Sequence, residues 1–331
     1  MTNEQQSAPP QRKGRIEAID IARGLALVAM AIYHFTWDLG FFGYVPPDMA
    51  TTGGWKLFAR CIAGSFLFLV GVSLVLAHGK QIRWNSFWRR WAMVAAAALA
   101  ITAATYVAMP NGFIFFGILH QIALASILGL AFLPLPAVVT ISIAAIVLAA
   151  PHYLRSEFFD APWWWWTGLS VNYSRSNDFV PVFPWFGMVL IGIAAGKIAA
   201  QTGLFTMLAP WRAPRWLWPL DFAGRHSLAF YLIHQPILIA CAWLFAQVFP
   251  PSEESREVNF LQACERTCVE QRDTEFCPRY CACVLDTLER AGAMQSFYAG
   301  EQSDELRATA EEAARQCTIE TDNAMPEGGA P

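Results

Sequence analysis

The stretch "IARGLALVAMAIYHFTWDLGFF" (residues 21–42) is apolar over most of its length and is broken by Arg23, His34 and Asp38. A bilayer-crossing helix needs about 20 mostly apolar residues, so this run is long enough to span. It follows the basic segment "QRKGRIEAID" (11–20) and carries no small-residue cleavage site, which reads as a membrane span and not a removable signal peptide.

The rest of the chain has the same character. Of 331 residues, 55% are hydrophobic and 15% charged, with a mean hydropathy of +0.34. These values exclude an ordinary soluble enzyme and give no basis for nucleic-acid binding. Seven apolar stretches stand out, at 18–42, 55–78, 91–109, 113–133, 134–152, 181–200 and 227–249, with turn chemistry at "MPNG" (109–112) and "PLP" (134–136). The expected fold is all-α: a polytopic transmembrane bundle of about seven spans.

Lys and Arg set the expected orientation. With the N-terminus cytoplasmic, the inner segments hold Arg12, Lys13, Arg15, Lys80, Arg83, Arg89, Arg90, Lys197, Arg212, Arg215 and Arg225, and the outer loops little beyond Arg155 and Arg175. Seven spans then leave the C-terminus outside. A bacterial inner membrane with a periplasmic tail fits this pattern.

The composition changes near residue 250, after a linker-like "PPSEES" (250–255). Residues 1–14 read as a disordered cytoplasmic N-terminus, 15–249 as the membrane domain, and 250–331 as an acidic, Cys-rich extracytoplasmic tail. The first 249 residues carry 16 Lys and Arg against 9 Asp and Glu, whereas the tail carries 7 Arg against 17 acids. The tail also holds six of the eight cysteines: Cys264, Cys268, Cys277, Cys281, Cys283 and Cys317. "CERTC" and "CPRYC" each place two cysteines on one helical face. A helical hairpin bridged by Cys264–Cys281 and Cys268–Cys277, with Cys283–Cys317 as a third bridge, satisfies the spacing, although six cysteines permit 15 pairings. A zinc site competes, but an oxidising compartment favours disulfides and no histidine lies in this region. The closing "TIETDNAMPEGGAP" (318–331) is expected to be disordered.

Ionisable groups inside spans are costly and mark functional positions by default. They are Asp20, Arg23, His34, Asp38, Arg60, His120 and His234. At 1.5 Å per residue, His34 and His120 fall at a similar depth of about 10–12 Å below the outer end, with Asp38 and Arg60 one turn above. His34 and Asp38 share one helix face, the pairing a general base uses. Plainer readings stand beside this one. Asp38 with Arg60 makes a structural ion pair, and intramembrane histidines serve as packing hydrogen-bonders between helices. The Trp run in "APWWWWTGLSVNYSRSNDF" (161–179) suits an interfacial belt, or a stacking surface or lid for a sugar ring.

Four stretches carry a resemblance: "RIEAIDIARGLALVAMAIYHFTWDLGFFGY" (15–44), "FFGILHQIALASILG" (115–129), "NDFVPVFPWFGMVLIGIAAGK" (177–197) and "GRHSLAFYLIHQPIL" (224–238). Together they resemble the heparan-α-glucosaminide N-acetyltransferase catalytic-domain family, within the wider superfamily of integral-membrane acyltransferases. The resemblance implies transfer of an acyl group, usually acetyl from cytosolic acetyl-CoA as co-substrate, to an amine or hydroxyl of an outer glycan or glycolipid. No metal is expected. It implies a catalytic histidine late in the first span, which is His34 here. In the heparan-acetylating branch the histidine lies in the following outer loop, and this chain has no histidine between His34 and His78.

On that basis Arg23, Arg225 and His226 would hold the CoA phosphates. His34 would deprotonate the acceptor, Asp38 would stabilise the imidazolium, and His120 or Gln121 would donate to the oxyanion. Arg60, Gln121, His234 and Gln235 would contact substrate. The bilayer is the expected partner. Seven spans are fewer than relatives are expected to have, which leaves a homodimer or a partial enzyme open. A transporter using the same polar residues is the rival, against which no internal repeat is visible. A membrane scaffold for the tail is the third reading.

Overall fold

A computed structural model describes residues 15–46, 48–172, 176–269, 271–298 and 303–324, so the expected disorder of 1–14 and 325–331 lies outside the described residues. The regular elements among the described residues are helical. In chain order they are α1 (Glu17–Phe41), α2 (Gly53–His78), α3 (Trp84–Ala108), α4 (Ile118–Leu130), α5 (Ala137–Tyr153), α6 (Val182–Gln201) and the short α7 (Leu204–Leu208). Then follow α8 (Trp218–Arg225), α9 (Ser227–Val248), α10 (Glu253–Cys268), α11 (Phe276–Arg290), α12 (Met294–Tyr298) and α13 (Asp304–Ala324).

Helices α1, α2, α3, α6 and α9 are long and apolar enough to cross a membrane, while α4 and α5 are shorter apolar helices. Each expected span therefore meets a helix, and the chain is an integral membrane protein, but two boundaries move. α3 begins at Trp84, seven residues before the expected start, because its first two turns carry Arg89 and Arg90, which a hydropathy window discards. α4 begins at Ile118 instead of 113. The preceding residues are held extended: Thr105 Oγ1 accepts from the Ile114 N–H at 3.0 Å, and Phe116 O accepts from Val180 N–H at 3.0 Å. The α4 start is then fixed by Asp178, whose Oδ2 accepts the Ile118 N–H at 2.9 Å and satisfies one orphan donor of the first turn.

The chain forms two compact units. The first comprises residues up to Met30 together with Phe58–His234. Its core centres on Leu67, Val189, Leu190 and Ile193, all fully buried. Helices α2 and α6 meet backbone to backbone: a Cβ on Gly71 would lie 2.1 Å from Val189 O, and one on Gly192 2.1 Å from Phe68 O. Small residues at such a crossing substitute close packing for the hydrophobic drive that lipid cannot supply. Lys197 of α6 closes the turn between α4 and α5, donating to Phe132 O at 2.6 Å, to Leu135 O and to Thr140 Oγ1. Its ammonium thereby satisfies carbonyls that the ending helix leaves unpaired.

The second unit combines Ala31–Leu57 with Gln235–Pro331. Tail residues grip the segment after α1. Asn259 Nδ2 donates to Gly43 O at 3.0 Å, Tyr44 Oη donates to Phe249 O, and Arg266 pairs with Asp48. Three disulfides, Cys264–Cys281, Cys268–Cys277 and Cys283–Cys317, tie α10 to α11 and α11 to α13. All three have the expected connectivity, which removes the zinc alternative for these thiols. Residues 318–324 correct the sequence expectation: they continue α13, because Cys317 and Thr321 are buried on its inner face.

Candidate functional site

Near the start of α1, three guanidinium groups gather around one buried carboxylate. Asp20 is 1% exposed; its Oδ2 takes Arg15 Nε at 2.6 Å and its Oδ1 takes Arg23 Nη1 at 2.9 Å. Arg23 reaches on through Nη2 to Ser73 Oγ of α2 at 2.5 Å. Arg90 of α3 acts electrostatically on Arg15, Asp20 and Arg23, and with Ser73, His78 and Trp91 it lines a cavity of about 80 Å³. Three cations against one anion leave the cluster with an excess of positive charge.

The run from Asp20 to Gly24, "DIARG", has a local explanation. Asp20 anchors the cluster, Arg23 extends it, and Gly24 admits α8: a Cβ there would lie 2.2 Å from Leu220 O, and one on Gly224 1.7 Å from Asp20 O. On α8, Arg225 is neutralised by Asp221, with Nη2 2.6 Å from Oδ2. His226 Nδ1 donates to Phe222 O at 2.9 Å.

A second polar constellation lies in the C-terminal half of α1. Asp38 is fully buried, and its Oδ1 accepts from Gln235 Nε2 of α9 at 2.6 Å. Asp38 Oδ2 and Gln235 Oε1 have no hydrogen-bond partner among the described residues. The pair therefore presents two bare acceptor oxygens, which an N–H or O–H donor would satisfy. Gln235 stands immediately before Pro236, whose missing N–H removes one helical hydrogen bond. The ring of His34 packs edge-on against Tyr33 at 5.5 Å. His234 Nδ1 lies 2.7 Å from Tyr231 O. Since a carbonyl only accepts, Nδ1 carries the proton, and the lone pair of the neutral ring sits on Nε2.

His120 is committed at both nitrogens. Nδ1 accepts from Gly117 N–H at 3.2 Å, so the proton of the neutral ring is on Nε2, which donates to Thr102 Oγ1 at 3.1 Å; that hydroxyl donates to Ile114 O. Neighbouring Gln121 is fully buried with neither amide atom hydrogen-bonded among the described residues. Close by, burial raises the Asp178 carboxyl to about 6, against the opposing pull of Ile118 N–H and the Tyr231 hydroxyl.

Arg60 makes no ion pair among the described residues. It opens onto a cavity of about 970 Å³ together with His152 and Arg155. Sequence reasoning did not single out Ser73, Arg90, His152, Arg155 or Asp178 as site residues. Arg90 and Arg155 entered it only as topological charge, and Asp178 stands in the motif "NDFVPVFPW" without an obvious partner. Among the described residues, no three metal-ligating side chains come together.

The family model described as "Heparan-alpha-glucosaminide N-acetyltransferase, catalytic" matches residues 15–236. No curated protein and no solved structure matches the chain.

Proposed function

Because the chain belongs to the heparan-alpha-glucosaminide N-acetyltransferase catalytic family, we propose that it is an integral-membrane acyltransferase. In this reading it moves acetyl from cytosolic acetyl-CoA to an amine or hydroxyl of an extracytoplasmic glycan. The observation that carries the donor half is the cationic cluster of Arg15, Arg23 and Arg90 around Asp20. Its surplus positive charge, beside the hydroxyl of Ser73, suits the phosphates of CoA, and guanidinium groups match phosphate geometry. Arg225 and His226, tied to Asp221 and Phe222 O, play a lesser part.

In the transfer, the acceptor nitrogen or oxygen bonds to the thioester carbonyl carbon, the C–S bond breaks, and CoA leaves as thiolate. The acceptor proton goes to a histidine, for which His34 is our assignment and His234, with its lone pair on Nε2, the alternative. The bare oxygens of Asp38 and Gln235 suit the donor hydrogens of an amine or hydroxyl. The Lys and Arg distribution supports an inner membrane with N-terminus inside and tail outside.

Binding of acetyl-CoA to the purified protein in detergent tests this first. Weaker binding by Arg90→Gln and Arg23→Gln, with binding retained by His34→Ala, supports separate donor and catalytic groups. A folded preparation that binds no acetyl-CoA in any form refutes the proposal. The buried, unsatisfied Gln121 and Asp38 also suit a solute path, so uptake into vesicles without acyl-CoA would favour a transporter.

A further inference from the structure

A large cavity in the first unit is assigned no part in donor binding or proton transfer. It lies between the N-terminal part of α2, the end of α5 and the start of α6, and encloses about 970 Å³, within the range of ligand sites. Its charged lining is one-sided: Arg60 and Arg155 face it, and among the described residues no Asp or Glu does. Neither arginine makes an ion pair among the described residues, in contrast to Arg15 and Arg23, which share Asp20, and to Arg225, which pairs with Asp221. His152 adds two ring nitrogens, while Trp185 and Phe179 supply flat apolar faces. Two guanidinium groups without counter-charge attract an anion, and the rings suit the apolar face of a sugar or the stem of a lipid.

We propose that this cavity holds the anionic group of the acyl acceptor, a phosphate ester on a glycan or glycolipid, gripped by Arg60 and Arg155. The site rests on the cavity itself; that its ligand is an acyl acceptor rests on the acyltransferase reading above. The cavity would thus select phosphorylated over uncharged acceptors, with the aromatic wall carrying the non-ionic part.

Cys61 lies in the cavity lining and is one of two free thiols, the other being Cys241, so a Cys241→Ser background turns Cys61 into a reporter. In phosphatidylcholine nanodiscs, an anionic methanethiosulfonate should modify Cys61 faster than a cationic one of similar size, by on the order of tenfold. Arg60→Gln with Arg155→Gln should bring the two rates together, and Arg→Lys at both positions should restore the preference. Equal rates in the background protein, or a preference unchanged by the double Gln variant, overturn the anion site. Glucosamine 6-phosphate should slow the modification where glucosamine does not. Protection by phosphatidylglycerol in the disc without protection by the sugar phosphate would make this a lipid-headgroup site and overturn the acceptor assignment. Acetyl-CoA binding to the same preparation reads the acyltransferase proposal separately, so failure of one is not mistaken for failure of the other.

Discussion

The carboxylate of Asp38 and the carboxamide of Gln235 meet at 2.6 Å across two helices, and each keeps one oxygen without a partner among the described residues. Such a pair is built to receive something, since a buried acceptor left bare costs about 1–3 kcal/mol. Gln235→Leu strands both carboxylate oxygens and should lower stability by about that amount. Adding Asp38→Leu should recover part of the loss. Thermal unfolding in detergent measures both, and a double variant less stable than the single one counts against the pairing.

Among the described residues, Asp20 is the carboxylate that Arg15 and Arg23 pair with and that acts on Arg90. Asp20→Asn keeps the shape and removes the charge, leaving the half-buried Arg23 and the exposed Arg15 and Arg90 to repel each other. A loss of about 1–3 kcal/mol is expected, less than for a fully buried pair because Arg15 and Arg90 keep access to solvent. A melting temperature equal to that of the parent would show that the cluster is solvated.

The α2–α6 crossing makes a steric prediction. Gly71→Ala puts a methyl 2.1 Å from Val189 O, which only helix separation can relieve. Overpacking of this kind costs about 1–3 kcal/mol. Gly54→Ala, whose Cβ would meet nothing within 4 Å, serves as the control. Equal melting temperatures for the two variants would refute the close approach.

Two carboxylates in the connection between α5 and α6 titrate in opposite senses. Burial pushes Asp178 up from 3.8 to about 6, so the folded chain binds the extra proton between those values. Its contribution to stability is full below 3.8 and is lost as pH rises through about 6. Asp160 is held down to about 2, chiefly by the N–H of Asn172 and then by the Ser170 hydroxyl. Its contribution is present above 3.8 and is lost as pH falls towards about 2. Asp178→Asn should flatten the first dependence, read by unfolding across that range. Asp160→Asn should expose the amides of Val171 and Asn172 to faster hydrogen exchange at neutral pH.

The three disulfides close loops of unequal size, with partners 9, 17 and 34 residues apart. Loop-closure entropy makes loss of Cys283–Cys317 more costly than loss of Cys268–Cys277, by about 1 kcal/mol. Paired Cys→Ser variants, compared by guanidinium unfolding of the full chain, test the order; the reverse order would show that native packing outweighs loop size.

The helices and the cysteine pairing were legible because both follow from distance along one chain. Apolar length marks a span, and an i, i+4 pair of thiols marks a face. The same logic failed where partners come from different helices. Periodicity set Asp38 beside His34, four residues back, whereas its hydrogen bond comes from Gln235; nothing in either span states which helices are neighbours. Arg90 was legible as a charge but not as part of the Asp20 cluster, since hydropathy placed it outside α3. The glycines that decide these crossings, Gly24, Gly71, Gly192 and Gly224, look in sequence like any others in an apolar run.

The second unit joins two segments of the chain made far apart in time, with Asp38 and Gln235 separated by 197 positions. At ribosomal speeds of about 5–20 residues per second, Asp38 waits on the order of 10–40 s for its partner. During that interval a carboxylate sits in a nascent span with nothing to hold it. The second unit can therefore close only after α9 has been made, and chains that stall before α9 should be substrates for membrane quality control.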